Sequence, residues 1–219
     1  MSVEKFEWDN AEWAMITNKY GKLLSYNLPR YNRSYANCTY QGYITKMLES
    51  ELYSIFVDVG AYIGLFSQIA SHYCYNIIAY EAHPFYYGIL LTNMRFFRNV
   101  SCRYKYVCSG EYEAIPTIDK DIKGLVTIDS KRPYNIERVS LDDEWNGGMP
   151  EMCLIKLDVE GSELSVLMGS KEILKKPYVH WIIDVHTNRG ITSEAVLKYF
   201  PNRKIIMISP KVIKVEGLL

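Results

Sequence analysis

From residue 55 to about residue 200 the sequence alternates short apolar, β-rich runs with segments that repeat at helical spacing. No other feature constrains the fold as tightly. "IFVDVG" (55–60), "NIIAYEA" (76–82), "SCRYKYVCS" (101–109), "MCLIKLDVEG" (152–161) and "VHWIIDVH" (179–186) read as strands. The first is apolar on both parities, as expected of a strand buried on both faces. After it, Ile63, Phe66, Ile69, Ala70 and Tyr73 share a helical face, and Ile89, Leu90, Met94 and Phe97 share the next. A helix over about 162–176 carries Leu164, Leu167, Met168 and Leu174 and stops at Pro177. A helix around 192–200 precedes "KIIMIS" and "VIKVE", which read as a closing antiparallel pair. This alternation means a mostly parallel sheet with helices on both faces.

Outside that frame the signals are weaker. Residues 1–43 are aromatic, polar and weakly periodic. They read as an N-terminal extension with one or two short helices, a candidate lid or acceptor-site element, ahead of one domain over 44–219. "ITKMLESELYS" (44–54) fits a helix. In 110–140, Gly110, Pro116, Gly124 and Pro133 punctuate mixed residues, so a hairpin or irregular excursion is expected. "SLDDEW" (140–145) opens a short helix with Ser140 as its N-cap. Nineteen tyrosines are many for 219 residues, and six fall between Tyr20 and Tyr43. They serve surface packing or an aromatic substrate wall.

Charge and cysteines narrow the function classes. The 25 basic and 25 acidic residues cancel, so the chain lacks the bulk field of a general nucleic-acid binder. Five cysteines without a CxxC pair argue against a disulfide framework or structural zinc, and for a reducing compartment. There is no apolar run of about 18 residues and no basic-then-apolar N-terminus. The expectation is a cytoplasmic protein with no membrane span.

Ligands of open parallel sheets bind beyond the carboxyl ends of the strands. Asp58, Glu81, Ser109, Asp158, Glu160, Asp184 and His186 stand at or just past such ends. In "FVDVGAYIG" (56–64), Gly60 and Gly64 permit a sharp turn and a close ligand approach. Redox dinucleotide sites use GxGxxG to admit a pyrophosphate. Here the spacing is GxxxG, and bulky Tyr62 stands in the middle. Glu81, at the end of the next strand, is placed to accept ribose hydroxyls. Asp58, Gly60, Gly64 and Glu81 together favour an adenosine ligand without a pyrophosphate. S-adenosylmethionine (SAM) fits, with Asp58 meeting its amino group directly or through water.

In "IKLDVEG", Lys156, Asp158 and Glu160 have one parity, so their side chains lie on one side. Charges there are costly if buried unpaired. Either Lys156 pairs with a carboxylate, or the strand opens into a polar cleft, or both. Asp184 and His186 repeat the pattern on the next strand.

These motifs resemble the FkbM-type methyltransferases of the class I SAM-dependent superfamily. "FVDVGAYIG" is similar to that family's FDVGANIG turn, and "IKLDVEGSELSVLMGS" to its IKIDVEGAELEVLKGA signature. "RVSLDDEW" resembles its TLDD segment, "IIDVH" its E-V-H strand, and "LLTNM" its L-x-x-N helix, at Asn93. The likeness covers roughly 55–187. It implies a Rossmann-like, seven-stranded sheet with one antiparallel strand near the C-terminus. It further implies O-methylation of a sugar, glycan or small natural product, with S-adenosylhomocysteine (SAH) as product. By position, Asp58, Gly60, Ala61 and Gly64 line the methionine side of SAM and Glu81 takes the ribose. The adenosine wall falls at Ala82 and His83, and Asp158 sits beside the reactive centre. Tyr62 replaces the family's asparagine, and "EAHP" its EPDP.

The catalytic candidates are Asp158 and His186 as bases, with Glu160 or Asp184 orienting a partner. A rival version has Asp158 and His186 hold a divalent metal, which is not favoured. Two other function classes are a NAD-dependent oxidoreductase, opposed by the missing middle glycine, and a non-catalytic binding or scaffold protein. The NPPY motif of nucleic-acid amino methylation is absent after the fourth strand, where "DVEG" stands.

Overall fold

The computed structural model describes residues 2–8, 11–26, 41–110, 136–146 and 152–217. The chain opens with strands β1 (Ser2–Trp8), β2 (Ala11–Asn18) and β3 (Gly21–Tyr26), an antiparallel meander in that order. One or two short helices are expected within 1–43; the described part of that span up to Tyr26 is all strand and turn, and residues 27–40 lie outside the described residues. The period of two was masked, because the inner face is built from Ala14, Ile16 and Leu23 while apolar Trp13, Met15 and Leu24 stand on the other. The turn that joins β2 to β3 is closed by Asn18, whose Oδ1 accepts the Tyr20 N–H at 2.7 Å. Ala14, Ile16 and Leu23, at 0–1% exposure, share one core with the helices over 41–50, 65–70 and 84–94. The meander is therefore a docked layer.

Helix α1 (Gln41–Ser50) buries Ile44, Met47 and Leu48 at helical spacing, starting three residues before the expected span. Then come β4 (Ile55–Val59), α2 (Leu65–Ala70), β5 (Asn76–Glu81), α3 (Pro84–Met94) and β6 (Val100–Val107). Next are β7 (Glu137–Val139), α4 (Leu141–Glu144), β8 (Cys153–Leu157), α5 (Glu163–Met168) and α6 (Lys171–Leu174). The described chain closes with β9 (Val179–Asp184), a 3-10 turn (Thr187–Arg189), α7 (Ser193–Leu197), β10 (Ile205–Met207) and β11 (Val212–Val215). The sheet order is β10-β11-β9-β8-β4-β5-β6-β7. All neighbours pair in parallel except β9–β11 and β10–β11, so β11 alone runs against the rest. The expected alternation, central parallel strands and closing antiparallel pair are all present. One strand is added at the edge: β7, which pairs with Lys105–Val107. The excursion expected in 110–140 falls mostly outside the described residues.

β4 and β8 are buried at every position, as two-sided burial in a parallel sheet requires. One core lies under α1–α3 and the meander; the other lies under α5–α7. Ser140 caps α4 as expected, its Oγ accepting the Asp143 N–H at 3.0 Å. The single helix expected over 162–176 is two, broken at Gly169–Ser170. A Cβ on Gly169 would stand 2.1 Å from the Cys108 carbonyl oxygen, so the end of β6 passes directly against that backbone. Among the described residues no helix is long and apolar enough to cross a membrane.

Candidate active site

The turn after β4 is a run of left-handed backbone: Gly60 at φ 79°, Tyr62 at 54° and Gly64 at 92°. A Cβ on Gly60 would lie 1.8 Å from the Asp158 carbonyl oxygen, so only glycine lets β4 and β8 end side by side. Tyr62 is the exception, since a non-glycine residue in this region is strained by roughly 1–2 kcal/mol. Asparagine tolerates the conformation better, which explains the residue the resembling family keeps there. Tyr62 is held by other means. Its N–H donates to Glu81 Oε2 at 2.7 Å, and its ring packs on Tyr86 with centroids 4.4 Å apart. Glu81 Oε1 accepts the His83 N–H at 2.7 Å. Glu81 thus ties the first turn to the β5–α3 corner, and burial pushes its carboxyl up to about 7 against those two amide bonds. Ala61 N–H donates to Tyr80 O at 2.9 Å, and half-buried Ala82 packs against Tyr106 and Cys108.

Beneath the turn lies a buried charge pair. Asp58 Oδ1 accepts from Lys156 Nζ at 3.0 Å, and Oδ2 accepts from Ser67 Oγ at 2.7 Å. Lys156 also donates to the Gly60 carbonyl at 3.0 Å and stands 3.6 Å from Asp158 Oδ2. Both alternatives read from "IKLDVEG" therefore hold: Lys156 pairs with a carboxylate, and Asp158 beyond it is partly open, its side chain 26% exposed. Asp58 is fully buried with both oxygens engaged. It lies behind the turn, and it reaches the strand ends through Lys156.

Past β8 the backbone turns through Glu160 (φ 51°) and Gly161 (φ 108°). His186 closes this corner. Its Nδ1 lies 2.5 Å from Glu163 Oε1, and its Nε2 lies 3.4 Å from Glu160 Oε2 and 3.7 Å from Asp158 Oδ1. Burial disfavours the imidazolium, but the carboxylates of Glu160, Glu163 and Asp158 outweigh it and raise His186 to about 10. A ring raised this far holds its proton at neutral pH, which runs against the base role expected of His186. Burial, then the Asp158 charge, lifts the Asp184 carboxyl to about 6. The structure brings together Asp158, Glu160, Asp184 and His186. It places Glu81 across the turn beyond Gly60, and Ser109 elsewhere, its N–H donating to Ser165 Oγ.

Glu163 is the residue the sequence reading missed. It is fully buried, and Oε1 also accepts the Gly161 N–H at 3.2 Å. An acid in a first helical turn is ordinary; only the contact with His186, far along the chain, marks it out.

Single donor atoms of Asp158, Asp184 and His186 lie within 4.8 Å of one another. An oxygen-and-imidazole set of that span fits a divalent cation, provided His186 gives up its Nε2 proton. As it stands, the group is an ion-paired cluster in which the carboxylates outnumber Lys156 and His186. Such an excess of negative charge suits a cationic ligand.

No curated protein is similar enough in sequence to match. The fold is similar to that of methyltransferase FkbM from Methylobacillus flagellatus KT, at TM-score 0.51 and 16% identity, over 74% of this chain and 43% of that one. The chain thus spans less than half the length of that protein. Precorrin-6y C5,15-methyltransferase from Geobacter metallireducens GS-15 aligns at TM-score 0.47 and 16% identity, over 80% of this chain and 86% of its own. N-methyltransferase NodS from Bradyrhizobium japonicum WM9 aligns at 0.47 and 12%, over 82% and 95%. At such identities the likeness is one of fold. The sequence model of the methyltransferase FkbM domain, in contrast, matches residues 58–204, from the buried aspartate of the first turn to the edge of β10. With well over half of its length matched, the chain belongs to the FkbM methyltransferase family.

Proposed function

We propose that this chain methylates a hydroxyl group of a sugar, glycan or small natural product, using SAM as donor. SAM supplies an activated methyl group on a sulfonium sulfur, and it leaves as SAH once the acceptor oxygen has attacked the methyl carbon in line. Gly60, Ala61 and Gly64 present backbone to the methionine part. Glu81 keeps one lone pair on each oxygen for the ribose hydroxyls, and Ala82 and His83 flank the base. Asp158 takes the acceptor's proton. His186, held protonated by Glu163, fixes Asp158 and Glu160 by charge. The carboxylates favour the bound sulfonium, and that charge is dispersed in the transition state, so they contribute to affinity more than to rate. Rate then comes from positioning, up to roughly 7–11 kcal/mol, and from the base, about 10²–10⁴-fold. The docked N-terminal meander serves as a fixed wall on the acceptor side.

The observation that carries this reading is the partly open Asp158, set between Lys156 and His186 and against the Gly60 backbone. Calorimetry with SAH and label transfer from methyl-tritiated SAM to a panel of hydroxyl acceptors test it. No SAH binding at millimolar concentration would sink it and favour a non-catalytic protein of this fold.

A second version uses a cation on Asp158, Asp184 and His186 to lower the hydroxyl's pKa, favoured by the span of their donor atoms. Loss of transfer in EDTA, with the fold intact and activity restored by added magnesium or manganese, would select it.

A further inference from the structure

The Gly60–Gly64 turn is gripped from a second direction. Asn93, on the inner side of α3, is 7% exposed and makes three hydrogen bonds. Its Nδ2 donates to the Ile63 carbonyl at 2.8 Å and to the Leu24 carbonyl at 3.1 Å. Its Oδ1 accepts the Leu24 N–H at 2.7 Å. Two carbonyls and one amide demand two donors and one acceptor on a single short side chain. Only a carboxamide meets that demand here.

Each end of this grip has consequences. Ile63 lies between Tyr62 (φ 54°) and Gly64 (φ 92°), so Asn93 pins the peptide between two left-handed residues. Leu24 belongs to β3, the inner edge strand of the meander. Its N–H and C=O both meet Asn93, as they would meet a neighbouring strand, and Gln68 Nε2 donates to the Lys22 carbonyl at 3.3 Å, so two side chains finish the edge of the N-terminal sheet. The same helix closes over the turn with Leu90 and Met94, whose side chains would lie 2.7 and 2.9 Å from a Cβ on Gly64. The N-terminal sheet, α3 and the turn are thus joined at a single amide.

We propose that Asn93 is a positioning residue. It holds the turn in the shape that receives the cofactor, and it makes cofactor affinity depend on the docking of the N-terminal sheet. This rests on reading the turn as the SAM site.

The test uses the full chain. Asn93→Asp keeps an acceptor for Leu24 but loses both donations and sets a negative charge against two carbonyl oxygens. The SAH Kd is expected to rise about tenfold, equivalent to about 1.4 kcal/mol, with kcat at saturating SAM little changed. Asn18→Ala is the control. It cuts the 3.0 Å bond to Gln68 and the turn cap on Tyr20, so it loosens the meander without touching Ile63. It should lower Tm and raise the SAH Kd by clearly less than Asn93→Asp does. Hydrogen exchange on the wild type covers the case in which Asn93→Asp does not fold: SAH should slow exchange in residues 21–25 together with 60–64. Three outcomes overturn the proposal: a folded Asn93→Asp with wild-type Kd, equal weakening by Asn18→Ala, or protection confined to the turn. If wild-type protein binds no SAH, the reading of the turn itself fails, and the inference with it.

Discussion

Replacing Asp58 by asparagine removes the negative partner of a lysine that has almost no water to turn to. The side chains of Lys156 and Asp58 are 2% and 0% exposed, and their charged atoms are 3.0 Å apart. Removing one partner of such a pair costs about 3–5 kcal/mol, because the other charge stays buried. Lys156 keeps the Gly60 carbonyl at 3.0 Å and the partly exposed Asp158 at 3.6 Å, which places the expected cost at the low end, about 3 kcal/mol. Asparagine adds a second difficulty. Asp58 accepts from two donors, Lys156 Nζ and Ser67 Oγ, so asparagine keeps both contacts only with its Oδ1 on Lys156 and the Ser67 hydroxyl turned to accept from its Nδ2. For a chain of this size about 3 kcal/mol lowers Tm by roughly 6–12 °C. Thermal and urea unfolding of Asp58→Asn, Lys156→Met and the double variant measure both the cost and the coupling. The double variant should recover much of the loss, since neither charge is then orphaned. A single-variant cost under about 1 kcal/mol, or a double variant equal to the sum of the singles, would refute the argument. In the folded Asp58→Asn protein, Lys156 is left to Asp158. Its pull on the proposed base should cut kcat beyond any loss of folded protein.

Glu81 is raised in the folded state, so its contribution is fully present below its ordinary value of 4.5 and is lost as pH rises through about 7. Urea midpoints at pH 5 and pH 8 should show this loss in the wild type and a flatter response in Glu81→Gln. His186 is raised as well, so its contribution is whole below 6.5 and disappears as pH climbs through about 10. His186→Gln should lack that alkaline slope, and an identical slope in both proteins would exclude His186 as its source. Tyr62→Asn exchanges roughly 1–2 kcal/mol of backbone relief for the lost ring contact, so its stability should stay within about 1 kcal/mol of wild type. Tyr62→Val, β-branched at a φ of 54°, should cost more than about 2 kcal/mol, and equal melting shifts for the two would refute strain at this position. Asp158→Asn should slow methyl transfer by about 10²–10⁴-fold while SAH affinity changes only a few-fold; near-normal turnover would remove Asp158 as the base.

The parts of the molecule that could be read in advance are those governed by local periodicity. β4 and β8 announced themselves as apolar runs, and the ends of those strands carried the charged residues that now converge. The cost of burying a lone charge narrowed Lys156 to a carboxylate partner, an open polar cleft, or both, and the structure shows both. Ser140 was legible as a cap because a short side chain carrying an acceptor oxygen in that position returns a bond to the backbone. What stayed hidden depends on distance along the chain. Glu163 looks like any acid in a first helical turn until His186 arrives from β9. The break between α5 and α6 reflects the passage of Cys108 against Gly169, which no window around residue 169 contains. The meander was misread because its outward face carries Trp13, Met15 and Leu24, which erase the alternation that marks a strand. Tyr62 drew notice as a departure from the family's asparagine. The left-handed backbone that makes a tyrosine costly there, and the hold of Glu81 and Tyr86 on it, are visible only in three dimensions.

The grip of Asn93 on Leu24 joins residues 69 positions apart. During synthesis the meander leaves the ribosome well before the helix that finishes its edge. At about 5–20 residues per second, the separation corresponds to roughly 3–14 seconds of translation. Through that interval the faces of Ala14, Ile16 and Leu23 have no core to enter, and β3 presents an unmatched strand edge to whatever is nearby. The meander is thus made well before the helix that secures it, and chaperones or nascent neighbours meet an unfinished sheet edge there.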